Sequence, residues 1–464
     1  MLTAVDTRFS VKDFPTESDR RVLFSIRYLK YIFAWLTLWQ DSSINGSIFQ
    51  LYEYTGRFES IRPIEIFLFA LVGLFLIERT LTRDYTFARS YFSTPLLLIL
   101  LGLFTSWARG VYYTQNYTIV YEVHEAFELP FAFLLILNLF REKEDRLTLI
   151  LLLILATVPK SIEGAYIKFF SDDPAKGWGV LMMWRDGFLL ALGVVGLMLT
   201  MHYKGEKLKW LRKVMLISSP FLFFTLIVSY RRSFLLAVLV SAFLLLITVG
   251  KGKRKKHAWM LVGLVVSLIV FVLATDPIGF LGRISGIIEP KEEGSAYIRL
   301  MELPNVLLNI YHNPILGTPI GTEWHQYYRM PLFANFTTLG VHNTYLYWSL
   351  RTGLLGAIGF FWLIGRMWKS ALINYRLAKT EEDWFISQVS IHMIVIYQVA
   401  SLFGMMYGDA VTILLAVVLT AFQLQMKGIT GRTSYRYVRL WETLRTGELV
   451  YKTPAQPLRL PSPR

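Results

Sequence analysis

Long apolar windows follow one another along this chain, most of them separated by short polar and charged breaks. They fall near 22–40, 61–78, 94–108, 123–140, 145–162, 185–203, 211–229, 233–250, 257–275, 345–368, 386–406 and 410–426. A bilayer core of about 30 Å needs roughly 17–25 apolar residues, or slightly fewer where charged flanks can snorkel. Backbone N–H and C=O groups find no water there, so a window of continuous apolarity must close its hydrogen bonds internally, as a helix. The expected fold is therefore all-α: a polytopic membrane protein of about twelve transmembrane helices. The first is the most interrupted, by Arg27 and Lys30. Composition agrees, with 54% apolar residues and a mean hydropathy of +0.44, beyond what a soluble domain carries.

The distribution of lysine and arginine sets the expected orientation. HYKGEKLKWLRK (202–213), KGKRKKH (251–257) and the basic tail 427–464 fall on one side when the windows are threaded in order. That side is expected to be the cytoplasm and to hold both termini. The polar start, MLTAVDTRFSVKDFPTESDRR, lacks an early apolar core, so no cleavable signal is expected. The chain divides into a cytoplasmic segment 1–21, transmembrane helices over 22–209, a second transmembrane unit over 210–426 and the tail. Within the second unit lies one long outer loop, 276–344, expected to be partly helical. Loops of this length between helices are often functional. The net charge of +15 follows the loops, so it reads as topology rather than nucleic-acid binding.

Cysteine is absent, which removes disulfides, thiolate metal sites and a cysteine nucleophile. No Gly-x-x-x-x-Gly-Lys-Ser/Thr loop is present to cradle a nucleotide. His312 and His325 lack carboxylates at ligand spacing, so no metal or other cofactor is expected. The remaining polar residues show a bias. Arg109, Arg185, Arg231, Arg232, Arg283, Arg299 and His342 map to one side, while the span centres carry almost no ionisable groups. An ion-coupled transporter usually places charge near the midplane.

SYRRS (229–233) links two windows tightly and sets two guanidiniums at headgroup level. Their planar forks suit phosphate oxygens, whereas a helix end needs only one anchoring charge. Arg299 lies in GSAYIRLMELPNVLL (294–308), which reads as an amphipathic helix with Leu300, Leu303, Leu307 and Leu308 on one face, on the membrane surface or over a cavity. IYHNPILGTPIG (310–321) then ends that helix and turns. In GVHNTYLYWSLRTGLLG (340–356) an apolar helix begins beside His342, with Asn343 or Thr344 as cap and Gly353 and Gly356 allowing close helix packing. An imidazole at that interface can accept a proton from a hydroxyl.

In order and spacing, SYRRSFLLAVLV (229–240), the run from SAYIRL to IYHNPILGTPIG (295–321) and VHNTYLYWSLRTGLLG (341–356) resemble the core of the O-antigen ligase and polymerase superfamily. The resemblance covers roughly 210–425. It implies a membrane-embedded, metal-independent bacterial glycosyltransferase of the inner membrane, working on its outer, periplasmic face. The donor would be a polyprenyl-diphosphate-linked glycan, and the acceptor a hydroxyl on a lipid, a glycan or a protein. On this resemblance His342 is the base, and Arg232 or Arg231 with Arg299 hold the diphosphate. By position alone, Arg185 is expected to join the diphosphate-binding set and Asn343, Tyr345 and Asp409 to support it. The usual Ser-Arg-Gly is here Tyr230-Arg231-Arg232-Ser233, with Arg232 the first choice and Arg231 close behind. The alternatives are a transporter or lipid-linked-sugar flippase and a non-catalytic assembly partner. Ligase and polymerase share donor chemistry and stay open.

Overall fold

The computed structural model describes residues 17–39, 63–82, 90–115, 119–140, 145–170, 184–202, 208–229, 232–248, 294–330, 340–404 and 415–422, with isolated positions at 256, 259 and 263. Every regular element among the described residues is helical: α1 (Glu17–Trp39), α2 (Pro63–Thr82), α3 (Ser93–Thr114), α4 (Ile119–Leu139), α5 (Asp145–Phe170), α6 (Trp184–His202), α7 (Lys209–Val228), α8 (Arg232–Thr248), α9 (Gly294–His312), α10 (Thr344–Leu377) and α11 (Glu381–Phe403). A further helical stretch covers 415–422. Five of these, α3, α5, α7, α10 and α11, are long and apolar enough to cross a membrane, and 127–139, 186–202 and 233–248 are shorter apolar helices. The window 257–275 and the tail 427–464 lie outside the described residues, as does most of 410–426.

Helix directions follow from specific contacts. A Cβ on Gly102 would lie 2.8 Å from Gly356 Cα, and one on Gly359 would lie 2.8 Å from Ile99 N, so α3 and α10 run antiparallel at near-backbone contact. Thr225 Oγ1 donates to Ser161 O at 2.6 Å, aligning α7 with α5. Gly187 meets the Phe234 ring, placing the starts of α6 and α8 together. Thr344 Oγ1 donates to Gly404 O at 2.8 Å, joining the start of α10 to the end of α11. At the opposite end, Arg146 pairs with Asp383 and Tyr375 donates to Thr248 O. One end of the bundle therefore carries Arg109, the first turns of α6 and α8 with Arg185 and Arg232, and His342.

The N-terminal turn of α11 shows why it starts where it does. Thr380 accepts the N–H of Asp383 at 3.0 Å, and Glu381, Glu382 and Asp383 place negative charge at the positive helix end.

Gly353 departs from its expected role. It is not a packing glycine but a break in α10, at φ 58° and ψ −158°, a region open essentially only to glycine. The break exposes backbone groups that the 313–319 segment fills. Thr318 N donates to Leu350 O at 2.6 Å, and Leu354 N reaches Pro314 O and Ile315 O at 3.0 and 3.1 Å. Gly356, against Gly102, does serve close packing.

α9 ends at His312, just before Asn313-Pro314, as proline chemistry requires. Leu300, Leu303 and Leu307 point outward, while Glu302, Asn305, Val306 and Asn309 are buried. The apolar face thus looks away from the protein and the polar face into it.

Candidate functional site

The polar face of α9 meets the start of α10 at His342. Asn343 is the N-cap, in extended backbone, and its Oδ1 accepts the N–H of Leu346 at 3.1 Å. His342 is therefore fixed by the helix start next to it. It is also fixed from α9. Glu302 Oε1 accepts the His342 backbone N–H at 2.8 Å, and Oε2 lies 2.9 Å from the ring Nδ1. The Glu302 side chain is 4% exposed and that of His342 18%, so the carboxylate is sheltered while the imidazole keeps a path to the outside.

This geometry selects a tautomer. A carboxylate only accepts hydrogen bonds, so in the neutral ring the proton sits on Nδ1 and the lone pair on Nε2. A ring held through both its backbone and its Nδ1 loses little further freedom when a substrate arrives. The arrangement can take a proton from a hydroxyl at Nε2 while Glu302 stabilises the imidazolium that forms.

Supporting contacts hold the loop around this pair. Trp324 Nε1 donates to Gly340 O at 3.2 Å, and Val341 is buried. Arg351, one of the largest fully buried side chains, donates through Nη1 to Pro319 O at 2.9 Å and Thr322 O at 2.8 Å. The buried guanidinium thus ties α10 to the 319–322 turn through its carbonyls, and Thr322 Oγ1 adds a second bond to Pro319 O at 2.6 Å.

The other expected residues divide. Arg299 stands one turn before Glu302 on α9 and is half-buried. Arg232 opens α8 and Arg185 is the second residue of α6, at the same end of the bundle; the side chains of both lie outside the described residues. Arg231, Arg283 and Asp409 also lie outside them. Asn343 is engaged as a cap and donates through Nδ2 to Leu402 O. Tyr345 donates to Gln398 O at 3.3 Å and stacks on Phe361. Arg109 donates to Leu316 O and Gly317 O at 2.8 and 2.9 Å, which makes it a clamp on the 313–319 turn.

Sequence reasoning missed Glu302 and a second cluster. Lys160 Nζ lies 3.0 Å from Glu163 Oε2 and 3.3 Å from Asp186 Oδ1, with all three residues buried. This cluster sits beside Arg185 at the arginine end. The spans are thus less free of ionisable groups than expected, and His392, midway along α11, is fully buried as well. The signal for the cluster was the Lys160/Glu163 pair, three residues apart on one helix face. Glu302 carried no local signal, because its partner lies forty positions away.

Residues 214–361 match the family model described as O-antigen ligase. That range contains Arg231, Arg232, Arg299, Glu302, His342 and the Gly353 break. No curated protein matches the chain. Over this segment the chain is similar to the O-antigen ligase family.

Proposed function

We propose that this protein transfers a glycan from a polyprenyl-diphosphate carrier to an acceptor hydroxyl at the outer face of the bacterial inner membrane. The Glu302–His342 pair, lying in the family-matched segment at the bundle end that gathers the arginines, carries this reading. The acceptor O–H loses its proton to His342 Nε2 as its oxygen bonds to the anomeric carbon. The bond from that carbon to the diphosphate oxygen breaks, and the electron pair leaves on polyprenyl diphosphate. Arg232 or Arg231, with Arg299 and Arg185, would carry the developing negative charge, the role fixed cations fill best in a site with little water. The donor arrives already activated, so neither a nucleotide nor a metal is required. Both termini would lie in the cytoplasm, opposite the site.

The test is release of polyprenyl diphosphate by purified protein supplied with polyprenyl-diphosphate glycan and an acceptor membrane extract. Release that needs the acceptor and persists in excess chelator is expected. Absence of release with a productive extract overturns the proposal in favour of transport. Arg232→Lys should reduce turnover about tenfold or more, since a point charge cannot reproduce the bidentate fork on a phosphate. Near-normal turnover would move the diphosphate contact to Arg231.

A further inference from the structure

Beyond the reacting centre, α9 ends in a group of exposed rings. His312 stacks on Tyr327 with centroids 5.3 Å apart, His325 meets Tyr327 edge-on at 4.6 Å, and Tyr311 meets His312 edge-on at 5.4 Å. Tyr311 is 76% exposed and Tyr327 40%. Exposed side chains are normally left mobile, because ordering them costs entropy with no burial in return. Here the ordering is built in. Asn305 donates to Tyr328 O at 2.9 Å and accepts Tyr328 N–H at 2.8 Å. One turn on, Asn309 donates to His325 O at 2.7 Å and accepts His325 N–H at 3.0 Å. Each buried amide pairs with both backbone groups of its partner, as a neighbouring strand would, and so pins 325–328 along α9.

The order of residues on α9 gives this group a direction. Arg299 comes first, Glu302 with His342 next, then Asn305 and Asn309, and His312 last. At about 1.5 Å per residue the rings lie roughly 15 Å beyond the reacting centre, on the side away from Arg299. Displacement at an anomeric carbon brings the entering oxygen in opposite the leaving diphosphate. With the diphosphate toward Arg299, the acceptor approaches from the side of the rings.

Resting on the glycan-transfer reading above, we infer that Tyr311, His312, His325 and Tyr327 form a carbohydrate platform that holds the acceptor glycan a few sugars from the reacting hydroxyl. The apolar face of a pyranose lies on an aromatic ring, and the imidazole nitrogens can bond the hydroxyls around its rim.

Two measurements on the purified full-length protein test this. The first is saturation-transfer NMR with carbohydrate cleaved by mild acid from the envelope of the source cells, free of lipid. The second is the dependence of polyprenyl diphosphate release on acceptor concentration. Tyr311→Ala and Tyr327→Ala should abolish the saturation-transfer signal and raise the acceptor KM about three- to tenfold, the size of one ring contact. The donor KM should be unchanged and kcat at saturating acceptor should stay within about twofold. Tyr311→Phe and Tyr327→Phe should keep both properties, which a folding defect would not allow. Tyr311 is so exposed that its truncation leaves the fold intact. No signal from the wild type, an unchanged acceptor KM in both alanine variants, or a rise in donor KM instead would each overturn the platform. Carbohydrate binding that is lost in the alanine variants, in a wild type that releases no polyprenyl diphosphate, would sustain the platform while sinking the transfer reaction.

Discussion

His342→Gln is expected to lower acceptor-dependent release of polyprenyl diphosphate by about 10²–10⁴-fold, the range for losing a general base, with donor binding retained. Glu302→Gln is the sharper variant. It is nearly isosteric and can still accept the His342 backbone N–H, so the fold should hold. Its amide, however, turns a donor toward Nδ1. The ring then places its proton on Nε2 and cannot accept one from the acceptor. The loss should approach that of His342→Gln, as happens when a carboxylate that fixes a histidine tautomer is replaced by an amide. The two residues act as one unit, so the double variant should cost little more than either alone. If Glu302 only braced the loop, Glu302→Gln would keep turnover within about tenfold and the two effects would multiply. Kinetics of the three variants, with thermal unfolding as the folding control, separate these outcomes.

Much of this arrangement is visible in residue order, because lipid leaves the backbone few options. The apolar windows that fall on described residues are helical, and the helix start at Thr344 after the Asn343 cap and the end before Pro314 follow local chemistry. His342 could be singled out because an Asn cap beside a histidine is an unusual way to enter an apolar helix. Glu302 could not. Its partner is forty positions away, and a glutamate on an amphipathic helix ordinarily faces water. Only the packing of α9 against α10 shows that its polar side is the inner one. Lys160 and Asp186 were hidden for the same reason, since their pairing depends on how α5 meets α6. Gly353 illustrates a different limit. Spacing alone reads Gly353 and Gly356 as one kind of residue, yet the first breaks the backbone and the second packs against Gly102.

That difference leads to the other large effect. Gly353→Ala should destabilise the protein by about 3 kcal/mol or more. The backbone conformation alone costs of order 1–3 kcal/mol for a residue with a side chain. The new Cβ would also collide with Ile315 O, a backbone atom that cannot swing aside. Relief requires the 313–319 segment to withdraw, which breaks the Thr318 to Leu350 bond and both bonds from Leu354. Gly365→Ala, in the same helix with nothing within 4 Å of the added Cβ, is the control and should be neutral or stabilising by about 0.5–1 kcal/mol. Membrane proteins of this size often unfold irreversibly, so the comparison is best made as thermal midpoints at one fixed heating rate. The break also couples stability to chemistry. The segment that fills it continues from the end of α9, the helix that carries Glu302. Gly353→Ala should therefore lose activity at temperatures where it is still folded, by loosening the carboxylate from His342. Full activity in a merely less stable Gly353→Ala protein would show that α9 holds Glu302 in place without help from the break.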